Sequence, residues 1–227
     1  MNDRVTYRDK TVPWLVRVID VVRYGDVFVR VVSEMPTNVQ LSVGDTVAID
    51  VNPQSGVLRR YTVSSVDDSS FEFVAFRTQR GPATAFLDVL LPDTQLFGQG
   101  PERPVKMPTA DLGHVAVLGD ETVVGTAVAT LSSTSAPISV VVTSKIAIPD
   151  IDQLAGATQV QVYSNYDDTK NWLTQYVAQH GSDNVGIFLV GEQAANQSLR
   201  QHSFGLGVAK ERVATRTFWR PDKEGLE

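Results

Sequence analysis

Four consecutive residues, Arg59-Arg60-Tyr61-Thr62, carry side chains suited to a large, flat, charged ligand. A guanidinium forks onto a diphosphate through parallel N–H donors. Side chains alternate along an extended strand, so Arg59 and Tyr61 share a face, with the aromatic ring two residues from the charge. Such a ring packs against a planar heterocycle, and the adjacent Thr62 hydroxyl can bond a heterocycle nitrogen. The same residues also describe an ordinary cross-strand surface face. The segment alone does not separate the two.

Other segments extend the pattern. Arg80-Gly81-Pro82-Ala83-Thr84 lets the backbone approach a ligand and then opens a helix, whose free N–H groups suit phosphate. It equally suits a plain turn. Leu118-Gly119-Asp120-Glu121-Thr122 falls at a strand-to-helix junction, where ligands of open α/β sheets bind. It is not a Gly-x-Gly-x-x-Gly fingerprint, and Asp120 and Glu121 repel phosphate and suit a helix start. Val190-Gly191-Glu192 is a second such junction, ahead of Leu199, Arg200 and His202. Phe218-Trp219-Arg220 can cover a bound ring or anchor the tail in the core.

These segments need elements to position them. The first hundred residues read as valine-rich strands over 14–22, 27–32, 46–51, 58–66 and 70–76, separated by turn signals such as Tyr24-Gly25-Asp26 and Asp67-Asp68-Ser69. That pattern predicts a small antiparallel barrel or sandwich. A short helix over 83–90 interrupts it, with Pro82 at its start. Residues 99–109, with Gly100-Pro101, Pro104 and Pro108, read as a linker. Strands over 114–118, 138–142, 160–163, 185–190 and 212–218 then alternate with helices over 123–131, 167–179 and 192–202. Alternation of this kind predicts a largely parallel α/β sheet. An antiparallel half followed by an α/β half invites one cofactor at the seam.

Composition narrows the classes. The chain has 227 residues, 42% hydrophobic and 20% charged, the profile of a folded protein with room for two domains. A net charge of −6 argues against nucleic acid as a partner, since phosphate neutralisation needs clustered Lys and Arg. There is no cysteine, so disulfides, thiolate zinc sites and cysteine-ligated iron–sulfur clusters are excluded. Redox chemistry would then use an organic cofactor or an external metal. His114, His180 and His202 are too few and too scattered in sequence to suggest a metal site. A polar, charged stretch over 1–10 and the lack of any run near the ~18 apolar residues of a membrane span predict a cytoplasmic protein without a membrane partner.

Taken in order, the segments resemble the siderophore-interacting proteins, NAD(P)H-dependent ferric-siderophore reductases among the ferredoxin–NADP reductase-like flavoproteins. Arg59-Arg60-Tyr61-Thr62 is similar to the family's Arg-x-Tyr-Ser/Thr flavin motif, and Gly81-Pro82-Ala83-Thr84-Ala85-Phe86 to its Gly-Pro-Ala-Ser-x-Trp segment. Gly119-Asp120-Glu121-Thr122 matches its Gly-Asp-Glu-Thr, Gly191-Glu192 its Gly-Glu-Ala, and Phe218-Trp219-Arg220 its Tyr-Trp-Arg. The resemblance spans nearly the whole chain. It implies an FAD-binding antiparallel β-barrel over 1–105 and a nucleotide-binding α/β domain with a mostly parallel sheet over 112–227. It also implies that Tyr61 flanks the isoalloxazine, Arg59 pairs with the pyrophosphate and Thr62 faces the reactive edge as the catalytic residue. Gly81, Ala83 and Thr84 would hold the diphosphate, Gly119 and Thr122 would line the nicotinamide side, and Arg77 and Trp219 would complete the cofactor set.

The chain departs from the pattern at Arg77, where histidine is usual, at Ser64, where arginine is frequent, at Phe86 in place of tryptophan, and at Gly125 in place of proline. The expected activity is transfer of electrons from NADPH or NADH through FAD to a ferric siderophore, releasing Fe(II), by a monomer. The alternatives are a flavin- or siderophore-binding module without efficient hydride transfer, or a general NAD(P)H flavoreductase with another acceptor. Lys145, Lys210 and Arg212 are basic candidates for an anionic chelate, though a solvated surface accounts for each.

Overall fold

The structure is a computed structural model that describes residues 12–53, 56–77, 80–102, 112–148 and 159–221. Six strands form the first half: β1 (Val12–Tyr24), β2 (Phe28–Glu34), β3 (Thr46–Asn52), β4 (Val57–Val66), β5 (Ser70–Phe76) and β6 (Gln95–Glu102). They close into an antiparallel barrel in the order β1-β2-β5-β4-β3-β6. Closure follows from alternation. Along β1 the inward positions Trp14, Val16 and Val18 are buried while Leu15 and Ile19 face out. Val29, Val31, Val47, Ile49, Val63, Phe71, Phe73 and Leu96 complete the interior, with Trp14 edge-on to Phe71 at 5.7 Å.

The strand β6 corrects the linker reading. Residues 99–102 belong to this strand, which joins β1 to β3 and closes the barrel, while 103–109 lie outside the described residues. Gly98, Gly100 and Pro101 look like strand breakers, yet a Cβ on Gly98 would lie 2.3 Å from the Trp14 ring. The missing side chain is what admits the indole. Between β5 and β6, helix α1 (Pro82–Val89) lays Leu87 into the barrel core. Arg23 donates to the Leu87 and Leu90 carbonyls at 3.1 and 3.0 Å, satisfying groups that a helix end leaves free.

The second half contains β7 (His114–Gly119), α2 (Val123–Leu131), β8 (Ile138–Thr143), β9 (Gln159–Tyr163), α3 (Tyr166–His180), β10 (Val185–Glu192), α4 (Gln193–Gly205), a 3-10 turn at Lys210–Arg212 and β11 (Val213–Trp219). The sheet order is β11-β10-β7-β8-β9, and every pairing is parallel. Strands covered on both faces read as continuous apolar runs, as in Val115–Leu118 and Val185–Val190. Asn165 caps α3 by accepting from the Asp168 N–H at 2.9 Å.

The two faces of this sheet differ. One packs on α3 and α4 through Leu118, Ile187, Leu189, Leu173 and Leu199. The other packs Val117, Val140 and Phe188 on α2, and the same cluster contains Val27, Phe28 and Val74 of the barrel. The apolar core therefore runs through the seam. Two polar contacts flank it: Thr62 to Thr126 of α2 at 3.3 Å, and Arg216 of β11 to Thr46 of β3 at 3.0 Å. Among the described residues, no helix is long and apolar enough to cross a membrane.

Candidate functional site

A cavity of about 440 Å³ opens at this seam. Its barrel wall is built by Leu58 to Thr62 of β4, by Val74 and Phe76 of β5, and by Arg80 to Ala83 at the start of α1. Its α/β wall is built by Glu121, Thr122 and Gly125 at the start of α2, and by Phe218 and Trp219 of β11. Of the sequence-selected residues, Arg59, Tyr61, Thr62, Gly81, Ala83, Thr122 and Trp219 meet here, although Thr62 and Trp219 are far apart in the chain.

Each is held by its element. Tyr61 stacks on Phe73 at 4.8 Å between ring centres, and burial raises its phenol above the ordinary value, so it stays a neutral aromatic wall. Arg59 donates to the Leu58 carbonyl at 2.9 Å, and Arg60 is ion-paired to Glu102 at 2.7 Å. Thr62 is buried with its hydroxyl against Thr126. Pro82 occupies the first turn of α1 and that turn carries no acidic residue, so its backbone donors suit an anion.

Arg77, Thr84 and Gly119 are not lining residues. Arg77 ion-pairs with Asp88 of α1 at 2.5 Å and donates to the Asp26 carbonyl at 3.0 Å, tying the helix to the β1–β2 turn. Thr84 belongs to the first turn of α1 and is itself buried. A Cβ on Gly119 would lie 2.0 Å from the Val190 carbonyl, so glycine there serves the approach of β7 to β10. Gly125 is a lining residue, and a Cβ on it would lie 3.0 Å from the Val74 carbonyl, so α2 sits close on β5. Ser64 is buried and donates to the Glu72 carbonyl, and Phe86 packs on the barrel core. The basic candidates Lys145, Lys210 and Arg212 do not line the cavity. The histidines lie elsewhere too: His114 stacks on His180 at 3.8 Å beside Tyr176, and His202 bonds Thr174 at 2.9 Å.

The sequence did not reveal the part played by Asp120. Its carboxylate is 4% exposed and accepts from the Thr122 N–H at 2.9 Å and the Thr122 hydroxyl at 2.5 Å. It also accepts from the Glu192 N–H at 2.9 Å and from the Trp219 indole N–H at 2.7 Å. The motif had read as a helix start, yet these bonds join the ends of β7, β10 and β11 to the start of α2. Nearby, Ser144 donates to Glu121 at 2.5 Å. Burial raises the Tyr166 phenol, and the charges of Asp120, Glu192 and Glu121 add to the shift.

The lining fits a ligand with a flat ring system and a diphosphate. Tyr61, Phe76, Phe218 and Trp219 offer aromatic surface, while Arg59, Arg60, Arg80 and the start of α1 offer donors for anionic oxygens. FAD has this chemistry.

A closed antiparallel barrel joined to a parallel α/β sheet is the ferredoxin reductase-like fold. A ferredoxin NADP+ reductase from Neisseria gonorrhoeae, solved with bound FAD and NADP, superposes with a TM-score of 0.70 at 12% identity, covering 92% of this chain and 99% of that one. A siderophore-interacting protein from Acinetobacter baumannii superposes at 0.73 with 20% identity over 94% and 92% of the two chains. A siderophore utilization protein from T. fusca gives 0.73 at 19% identity over 96% and 97%. No curated protein matches the chain by sequence. Residues 112–222 match the family model described as siderophore-interacting protein.

Proposed function

We propose that the protein is an FAD-dependent oxidoreductase that takes electrons from NADPH or NADH and passes them to a ferric siderophore. The observation carrying this reading is that Arg59, Tyr61 and Thr62 of the barrel share one cavity with Gly81, Ala83, Thr122 and Trp219. The family match over 112–222 supports the choice of acceptor. In this reading residues 1–105 carry FAD and 112–227 receive the nicotinamide.

When bound, FAD supplies the conversion between two-electron hydride transfer and one-electron transfer. The balance is one NAD(P)H and two Fe(III) giving NAD(P)+, two Fe(II) and one proton. The chain's own residues bind and orient. Arg59 and the start of α1, including Thr84, hold the diphosphate, with Arg77 tying that helix down through Asp88. Tyr61, backed by Phe73, supports the ring from the barrel side. The Thr62 hydroxyl, fixed by Thr126, holds a proton at the reacting edge. Thr122 borders the nicotinamide side, and Gly119 keeps β7 close to β10 beneath it. Hard siderophore oxygens favour Fe(III), so reduction loosens the chelate.

Anaerobic addition of NADPH or NADH to FAD-loaded protein tests the reading. Bleaching of the flavin band, recovered on adding a ferric siderophore with Fe(II) trapped by a coloured chelator, is the expected result. A colourless protein that takes up no FAD overturns it. A second reading, FAD binding without efficient hydride transfer, draws on the Thr62 hydroxyl's contact with Thr126 and on the close seat of α2 at Gly125. It predicts a yellow protein that neither nicotinamide bleaches. Bleaching without siderophore-dependent Fe(II) release would point instead to another acceptor.

A further inference from the structure

We propose that Asp120 is a positioning residue for the FAD cavity and that it acts through the indole N–H of Trp219. The inference rests on the FAD reading above. Trp219 is 37% exposed and lines the cavity, so packing alone leaves its ring partly free to turn. Its N–H is the polar handle that can fix the ring plane, and that handle donates to a buried carboxylate at 2.7 Å.

The carboxylate is itself held. Its Oδ1 accepts from the Thr122 backbone and hydroxyl, and its Oδ2 accepts from the Glu192 backbone as well as from Trp219. The backbone makes room for it. Gly191 has φ +115, a conformation other residues rarely adopt, and a Cβ there would lie 2.3 Å from the Asp120 carboxylate. Immediately after Gly191 the β10–β11 register shifts, so that Glu192 pairs with Trp219. Glycine, bulge and carboxylate together set one orientation of one ring. A wall fixed in advance takes up a flat ligand without the entropic cost of ordering it, whereas a loose ring must be ordered on binding.

The experiment compares FAD affinity, read by quenching of flavin fluorescence on titration into apoprotein, for the parent, Trp219→Phe, Asp120→Asn and the double variant. Trp219→Phe keeps an aromatic ring while removing the N–H anchor together with part of the indole surface, and the double variant separates the two losses, so the proposal is tested even if Asp120→Asn alone is weakly folded. Each single variant is expected to bind FAD ~2- to 10-fold more weakly, the range for ordering one side chain. The double variant is expected to bind no more weakly than the worse single one, because both remove the same restraint. A structural role for Asp120 unconnected to Trp219 would make the two losses multiply, and that result overturns the proposal. So does a parent that binds FAD while Trp219→Phe binds it equally well. A parent that takes up no FAD overturns the functional reading, and this inference with it. As a readout independent of FAD, the indole N–H resonance of Trp219 should exchange slowly with solvent in the parent and rapidly in Asp120→Asn. Equal exchange in the two would also sink the idea.

Discussion

The two walls of the cavity are built differently. The barrel wall comes from neighbours in sequence, Leu58 to Thr62 and Arg80 to Ala83, and rests on the barrel's own core through the Tyr61–Phe73 stack. The α/β wall comes from strand ends distant in sequence, which the Asp120 carboxylate gathers. A wall of the first kind exists once its domain folds. One of the second kind depends on several bonds forming together, and loss of one donor can misplace a ring. The difference teaches why one wall reads as a motif and the other does not.

Variants can break or sharpen this contrast. The largest effect is expected from Phe73→Ala. This side chain is fully buried, so its loss should lower stability by ~3–5 kcal/mol and withdraw support from Tyr61. Urea unfolding together with FAD titration measures both; lowered stability with unchanged FAD binding would show that the barrel wall does not rest on the core. Arg59→Ala follows: loss of a charge-assisted contact worth ~1.5–3 kcal/mol corresponds to roughly 10- to 150-fold weaker FAD binding, with the unfolding midpoint nearly unmoved. Gly119→Ala acts on the other wall. Its methyl would meet the Val190 carbonyl, and the strand separation it forces should cost about 1–3 kcal/mol, read by thermal unfolding, with the barrel strands retaining amide protection.

The smallest effect is the order in which acid loosens the halves. Burial, with some repulsion from His114, holds the His180 imidazole below its ordinary value. Its neutral form is therefore favoured by folding. That contribution is present above the unfolded value of about 6.5 and is lost as pH falls through the lowered folded value. In the barrel, hydrogen bonds from the Ser70 hydroxyl, the Ser69 backbone and hydroxyl, and the Ser70 backbone pull Asp67 down to about 2. Its contribution is present above about pH 3.9 and is lost as pH falls through about 2. Amide resonances followed during acid titration should therefore move first around α3 and β7, and only later around the Asp67 turn. The reverse order would refute the assignment.

The barrel strands and the parallel sheet were legible because period-two alternation and continuous apolar runs are local signals. The strand β6 was not legible, because Gly98, Gly100 and Pro101 read as punctuation, while Gly98 makes room for Trp14 and Gly100 lies against the Thr46 carbonyl, both remote in sequence. At the site, Arg59 and Tyr61 were legible as one strand face with Thr62 beside them. The hub at Asp120 was not, since an acid before a helix is an ordinary start signal and its Glu192 and Trp219 donors are long-range. Arg77 joins the cofactor set only through the family resemblance, and its guanidinium is paired with Asp88.

The strand β11 follows every other described strand and pairs with β10 alone, yet it carries Trp219 to the cavity and Arg216 to the barrel. During synthesis the barrel and most of the parallel sheet leave the ribosome before it does. A nascent chain with its barrel formed therefore presents half a cleft, open on the side that β11 will close. Under the FAD reading proposed above, the order of the sequence makes full cofactor retention a late event, and a chain stalled short of β11 would hold the flavin poorly.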